Sequence, residues 1–228
     1  MTNHLIIFDC DGTLVDSRYT IVEAMSSAFA NCGLIAPAPS SILSTVGLSV
    51  PEAVHRLIPQ ENTHTIGTIG EAYKEAYFQL RNQSDFIEPF FDGAENTLKN
   101  MGDQEQYILG IATGKSRRGV NAILKKLPIG MEPFVTIQTA DDAPSKPHPA
   151  MIEQAMADTG VANEHTIMIG DTSFDMEMAR NAGVKSIGVT WGYHSSDELV
   201  DAGAGSIVSN FDSLISVISS MTAARGEK

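Results

Sequence analysis

The chain has 228 residues, 43% of them hydrophobic, with 28 acidic residues against 15 Lys and Arg and a formal net charge of −13. That length supports one large domain, or one domain carrying an insertion. The charge argues against nucleic-acid or anionic-lipid partners, because phosphate-rich surfaces require a cationic track. An anion would have to be handled in a local pocket that overrides the global field, and a bound divalent cation is one way to do that. No stretch approaches about 18 uncharged apolar residues, and the start lacks a basic region followed by a long apolar run, so neither a membrane span nor a secretory leader is expected. Cys10 and Cys32, the two cysteines, follow no zinc or disulfide spacing and read as reduced thiols of a cytoplasmic protein.

In chain order, Leu5–Phe8 is a short, fully apolar run that predicts a buried strand. From Ser17 the texture becomes helical: Ile21, Met25, Ala28 and Cys32 share a face, and Gly33 supplies the stop. "APAPSS" reads as a loop leading to another helix start. Ser49 to Pro51 reads as a helix N-terminus with Pro in its first turn, and Ile66, Ile69, Tyr73, Tyr77 and Leu80 mark a further helix. After "EPFFDG" the pattern alternates. Strands are predicted at Tyr107–Ala112, Phe134–Gln138, Thr166–Ile169, Ser186–Thr190 and, weakly, Ser206–Val208. Helices are predicted at Ala94–Met101, Arg117–Leu127, Pro149–Asp158, Phe174–Ala182 and Phe211–Met221, before a polar tail. Apolar strands alternating with helices predict an α/β core, a Rossmann-like parallel sheet covered on both faces, interrupted after its first strand by an inserted all-helical domain. The expected division is a core of residues 1–16 and 86–228 and a helical insert of residues 17–85.

Polar residues collect at the strand ends. "LIIF" runs into Asp9, "YILGIA" into Thr113 and Gly114, and "TIMI" into Gly170 and Asp171. Ligands of open parallel sheets bind beyond the carboxyl ends of the strands, so these groups are expected at one edge. Residues i and i+2 of an extended segment point the same way, which lets Asp9 and Asp11 share a site while Cys10 points away. Gly12 permits the turn that follows. Lys146, in "SKPHP", lies between two prolines that stiffen its loop. With Asp171 and Asp175, several acids face one lysine, a balance that calls for a hard divalent cation; Mg²⁺, with its oxygen ligands and few carboxylates, suits best.

"DCDGTLVDS", "ATGKS", "KPHP" and "GDTSFD" resemble, in order and separation, the four motifs of the haloacid dehalogenase-like superfamily, with a helical cap inserted after the first. The resemblance covers essentially the whole chain. It implies Asp9 as a nucleophile that becomes an aspartyl phosphate, and Asp11 as the acid–base for the leaving oxygen and the hydrolytic water. It also implies a Mg²⁺ site built from Asp9, the Asp11 backbone carbonyl and Asp171, with Asp175 beside it, and phosphate oxygens bound by Thr113, Gly114 and Lys146. "VGLS", around Gly47 and Ser49, resembles the substrate-facing loop of phosphoglycolate phosphatase-like members and implies a small phosphorylated metabolite as substrate, for a monomer or homodimer. Lys115, Arg117 and Arg118 read as a solvated helix start, and the methionines of "DMEMA" as core.

Within that superfamily, dehalogenases lack the second acid, because a departing halide needs no proton; Asp11 therefore favours phosphate-ester hydrolysis. Phosphonatases use a cap lysine, for which Lys74 is the one candidate in the insert. Sugar phosphatase, pyrophosphatase and phosphomutase activities stay open. A phospho-accepting receiver module combines acids, Thr and Lys at a similar edge. The D-x-D spacing, the chain length and the helical insert all count against it.

Overall fold

The computed structural model describes residues 2–83, 86, 88–126 and 133–223. Its elements begin with β1 (His4–Phe8) and five helices: α1 (Arg18–Asn31), α2 (Pro39–Leu43), α3 (Val50–Leu57), α4 (Thr63–Arg81) and α5 (Ala94–Gly102). There follow β2 (Tyr107–Ala112), α6 (Arg117–Leu124), β3 (Phe134–Gln138), α7 (Ala150–Thr159), β4 (Thr166–Gly170), α8 (Ser173–Ala182), β5 (Lys185–Val189), α9 (Ser196–Asp201), β6 (Ser206–Val208) and α10 (Phe211–Thr222). The strands form one six-stranded sheet in the order β3-β2-β1-β4-β5-β6, and every pairing is parallel.

Every residue of β1 is buried, as a central strand with helices on both faces requires. Ile6 and Phe8 join the side chains of α5, α6 and α10. Leu5 and Ile7 point the other way and pack on α7 and α8. The chain leaves β1 toward β2 on one side and returns with β4 on the other, so the direction of winding reverses between β1 and β4. Open α/β sheets form their binding crevice at such a reversal. This strand order also departs from the 2-1-3-4-5 order of receiver-type folds.

The segment between β1 and α5 folds around its own apolar cluster, with Ile21, Met25 and Phe29 of α1 meeting Ile66, Ile69 and Tyr77 of α4. Its two connections to the sheet pair with each other. Asp16 N–H donates to Pro89 O at 2.8 Å, Phe91 N–H donates to Leu14 O at 3.0 Å, and Val15 bridges Phe90. The second boundary expected for the insert, at 85/86, touches residues outside the described set, as does Leu127; the helix expected to reach Leu127 ends already at Leu124, capped by Lys125.

Further local expectations change. The strand expected at Ser186–Thr190 is shifted by one residue and runs Lys185–Val189. "APAPSS" is only half loop, because Pro39 opens α2 with the fixed φ that suits a first helical turn. The unpredicted α9 is a short helix started by a reciprocal cap between Ser195 and Glu198. Both cysteines are unpaired, and Met176 and Met178 are wholly buried, as expected. No helix among the described residues is long and apolar enough to cross a membrane.

Ile7→Ala, which empties a site packed on all sides, should cost about 2–5 kcal/mol. Val135 on the edge strand β3 is 64% exposed, and Val135→Thr should stay within about 0.5 kcal/mol. Denaturant unfolding of the two variants checks both.

Candidate active site

The reversal between β1 and β4 carries the acids. Asp9 follows Phe8 directly, and its N–H continues the ladder to Ile169 O at 2.9 Å. Asp171 follows β4, and Asp175 lies in the first turn of α8. Asp9, Asp171 and Asp175 each present a carboxylate oxygen within 4.8 Å of the others, and all three are buried. Lys146 reaches into this group from its loop and is itself 1% exposed. Its Nζ lies 2.9 Å from Asp9 Oδ1 and 2.6 Å from Asp175 Oδ1.

Each carboxylate is tied differently. Asp175 Oδ2 accepts from the Thr172 hydroxyl at 2.7 Å and from Thr172 N–H at 3.1 Å. It is thus both a helix-start residue and the partner of Lys146. Asp171 accepts from the Thr13 hydroxyl and from Tyr193 N–H, both at 2.9 Å. Asp9 Oδ1 accepts from Cys10 N–H at 2.7 Å and from Lys146, while its Oδ2 is buried without a partner among the described residues. A buried carboxylate oxygen with no donor is costly, so a ligand belongs there. Three buried acids against one ammonium fit a divalent cation held by oxygen ligands. This donor set is able to hold a metal ion.

The electrostatics agree. Burial pushes the Asp9 carboxyl up to about 7; the Asp175 and Asp11 charges add to the rise, and Lys146 opposes it. Asp171 is raised well above the usual range by burial and by the charges of Asp9 and Asp175. Burial alone would pull Lys146 down, but Asp175 and Asp9 hold it above the ordinary lysine value.

Gly12 allows the close approach of the first loop to Asp171. Its φ is +83°, and a Cβ there would lie 2.2 Å from Asp171 Oδ2. Asp11 stands apart from the carboxylate group. Its Oδ1 accepts from the Ser17 hydroxyl and lies 2.9 Å from Lys115 Nζ. Thr113 is buried at the end of β2, and its hydroxyl accepts from Lys115 N–H at 3.3 Å. The loop of Gly47 and Ser49 is seated on this edge. A Cβ on Gly114 would fall 2.4 Å from Leu48 O and 2.5 Å from Gly47 O, so the insert's backbone fills the space beside it. Ser49 N–H donates to Ser145 Oγ at 2.8 Å, which fastens the loop to the segment carrying Lys146.

The structure therefore gathers Asp9, Asp171, Asp175 and Lys146, and brings Asp11, Thr113, Gly114, Gly47 and Ser49 to the same edge. It corrects the solvated reading of Lys115, whose side chain is 7% exposed and ion-paired with Asp11. Arg117 and Arg118 remain partly or fully exposed. Lys74 is paired with Glu71 on an exposed helix face, away from these groups. Sequence reasoning missed Thr13, Ser17, Ser145, Tyr77 and Tyr193. Each is a hydroxyl-bearing residue whose partner is remote or across a turn, and only the "DGT" and "DS" contexts of Thr13 and Ser17 hinted at a role.

A carboxylate whose folded pKa exceeds its unfolded value binds protons more tightly when folded. Stability from that group then falls as pH rises from 3.8 through about 7. In EDTA at pH 8, Asp9→Asn should raise stability by about 1–2 kcal/mol, roughly 3–6 °C in Tm. The gain should shrink by pH 5, and melting curves at the two pH values check it.

Comparison with known proteins places this geometry. A probable phosphatase, IndB, of Dickeya dadantii is 32% identical over 215 residues, covering 92% of this chain and 91% of that protein. A phosphoglycolate phosphatase of Photorhabdus laumondii is 28% identical, covering 93% and 91%. Pyrophosphatase PpaX of Anoxybacillus flavithermus is 26% identical, covering 96% and 98%. The crystal structure of a "predicted phosphatase" from Clostridium acetobutylicum superposes with a TM-score of 0.84 at 27% identity, over 96% of this chain and 99% of that one. The sequence model of the haloacid dehalogenase-like hydrolases matches residues 6–189, from the first buried strand to the end of the fifth, and the chain belongs to that family.

Proposed function

We propose that the protein is a Mg²⁺-dependent phosphatase that hydrolyses a small phosphomonoester through an aspartyl-phosphate intermediate. One observation carries this reading: Asp9, the first residue past the central strand, has one oxygen anchored and the other buried among further acids with no partner among the described residues. Asp9 attacks phosphorus, and the ester P–O bond breaks. Asp11 gives a proton to the departing oxygen, then takes one from the water that attacks the acyl phosphate; inorganic phosphate leaves and Asp9 is restored. Thr113, the Gly114 amide and Lys146 hold the phosphoryl oxygens, with Lys146 also fixing Asp9. Asp9, Asp171 and the Asp11 carbonyl would hold Mg²⁺, with Asp175 beside it. The metal would supply neutralisation of phosphoryl charge.

We assign residues 17–85 as a cap and residues 1–16 with 86–228 as the catalytic core. The seated loop of Gly47 to Ser49 supports a small leaving group, because it leaves little space beside Gly114. A phosphoglycolate-like substrate is favoured by the loop and by relatives with that name. Pyrophosphate is the second reading, favoured by the full-length likeness to PpaX. Two unpaired thiols suit a reducing compartment such as the cytoplasm.

Purified protein should release phosphate steadily from p-nitrophenyl phosphate with Mg²⁺ and stop on addition of EDTA. One stoichiometric phosphorylation without turnover would instead support a switch. Asp9→Asn should lower kcat more than about a thousandfold. Asp11→Asn should lose at least about a hundredfold on alkyl phosphates and far less on p-nitrophenyl phosphate, whose leaving group needs no proton. Comparison of kcat/KM for phosphoglycolate, pyrophosphate, sugar phosphates and nucleotides identifies the substrate.

A further inference from the structure

Tyr73 of α4 brings a phenol toward the catalytic edge, and the mechanism above gives it no role. The inner face of α4 carries Ile66, Ile69 and Tyr77 at helical spacing, with Tyr73 between them. Near the start of the helix this face packs into the insert's own cluster. At Tyr77 it reaches the core: the Tyr77 hydroxyl accepts from Lys115 Nζ at 2.9 Å, and that ammonium lies 2.9 Å from Asp11 Oδ1. Tyr73 stands one turn before Tyr77, and the two ring centres are 5.7 Å apart.

Lys74, Tyr77, Gln79 and Arg81 of the same helix donate to protein acceptors, whereas the Tyr73 hydroxyl has no hydrogen-bond partner among the described residues. Its ring is packed against the apolar cluster of the insert, which fixes where the hydroxyl can reach. Burial holds the phenol well above its ordinary value; Tyr77, Asp11 and Glu88 add to the rise and Lys115 opposes it. The group is therefore neutral at any working pH and can both donate and accept. A ring held in place with its polar end uncommitted is suited to complete its bonding with a ligand. A site that hydrogen-bonds a substrate oxygen also discriminates against the analogue that lacks it.

We propose that Tyr73 is a specificity-determining residue whose hydroxyl hydrogen-bonds an oxygen on the leaving group, so that the preferred phosphomonoesters carry a carboxylate or hydroxyl oxygen next to the ester carbon. Small phospho-acids and small polyol phosphates share that acceptor, and simple alkyl phosphates lack it. Tyr73 transfers no proton and breaks no bond; it selects which ester is held. This inference rests on the phosphatase reading and deepens it by naming the leaving-group chemistry.

The test measures kcat/KM with Mg²⁺ on phosphoglycolate, 2-hydroxyethyl phosphate and ethyl phosphate, which share a two-carbon leaving group and differ in its terminal atoms. The wild type should prefer at least one of the oxygenated esters to ethyl phosphate by about tenfold or more. Tyr73→Phe should lower kcat/KM on that ester about tenfold and leave ethyl phosphate within about twofold. Loss on phosphoglycolate alone assigns a carboxylate as the partner, and loss on 2-hydroxyethyl phosphate alone assigns a hydroxyl. Tyr19→Phe, on a ring that is 75% exposed, should leave all three values within about twofold. The ratio between substrates does not depend on the fraction of enzyme that is folded, and the Tm of Tyr73→Phe should stay within about 2 °C of wild type. Equal losses on all three esters, an unchanged ratio in Tyr73→Phe, or a wild type without the preference overturns the proposal. If p-nitrophenyl phosphate is still hydrolysed in that case, the assignment of Tyr73 falls alone. A wild type that hydrolyses no phosphomonoester removes the phosphatase reading and the assignment with it.

Discussion

Mutual repulsion among buried carboxylates governs this protein. Asp9, Asp171 and Asp175 are brought together out of water, and Lys146 is, among the described residues, the one ammonium that touches two of them. Nothing in a hydrophobic core demands such an arrangement; isolated buried charges are strongly disfavoured. The fold tolerates it by surrounding each acid with fixed donors. Cys10 N–H, Tyr193 N–H, Thr13 and Thr172 each spend a hydrogen bond on one carboxylate. Those donors come from the loop after β1, the loop after β5 and the start of α8, so the sheet edge must be correctly assembled before the acids are bearable. The parallel sheet, its reversal between β1 and β4 and the tight turn at Gly12 all serve that assembly.

The legible parts of the fold were those with long apolar runs. β1, β2, β3 and β4 contain consecutive branched or aromatic residues and ended where polar residues began, so both their existence and the groups they deliver could be read from the chain. Asp9, Thr113 and Asp171 were legible for that reason. α9 was not, because six residues hold too little period to detect and only its Ser195–Glu198 cap marks it. Lys115 failed differently. "GKSRRG" is locally indistinguishable from a hydrated helix start, and the partners that bury Lys115, Asp11 and Tyr77, come from distant parts of the chain. Burial of a long charged side chain is decided by tertiary neighbours, and the periodicity of its own segment carries no trace of them. Asp175 shows the converse. Expected only beside the metal site, its side chain also caps α8 and pairs with Lys146, one oxygen to each.

The insert is tied to the catalytic edge at several independent points. The Gly47–Leu48 carbonyls lie against Gly114, Ser49 is bonded to Ser145, and Arg56 stacks on Phe174 at 5.0 Å. Arg18, at the start of α1, stacks on Tyr193 at 5.6 Å, and Tyr193 accepts from Ser17 N–H while donating its own N–H to Asp171. The crossing segments Asp16–Ser17 and Glu88–Pro89 are short and paired. On the proposed reading these contacts hold the insert over the site, where exclusion of water would strengthen the fixed charges.

The overall charge makes the order of binding a matter of electrostatics. A protein of formal charge −13 repels a phosphate dianion at long range. Within the site the balance is no better before a metal binds. The acids Asp9, Asp11, Asp171 and Asp175 outnumber the ammonium groups of Lys146 and Lys115 by two. The same field that repels phosphate attracts a divalent cation, and one such ion would bring the edge to neutrality. On the proposed reading, the ammonium of Lys146 and the amides beside Thr113 would outweigh the carboxylates facing a phosphoryl group once that ion is bound. Metal before substrate is thus the sequence the charges favour. The high proton affinity of Asp9 and Asp171 in the metal-free protein is the same imbalance, met by protons when no cation is present.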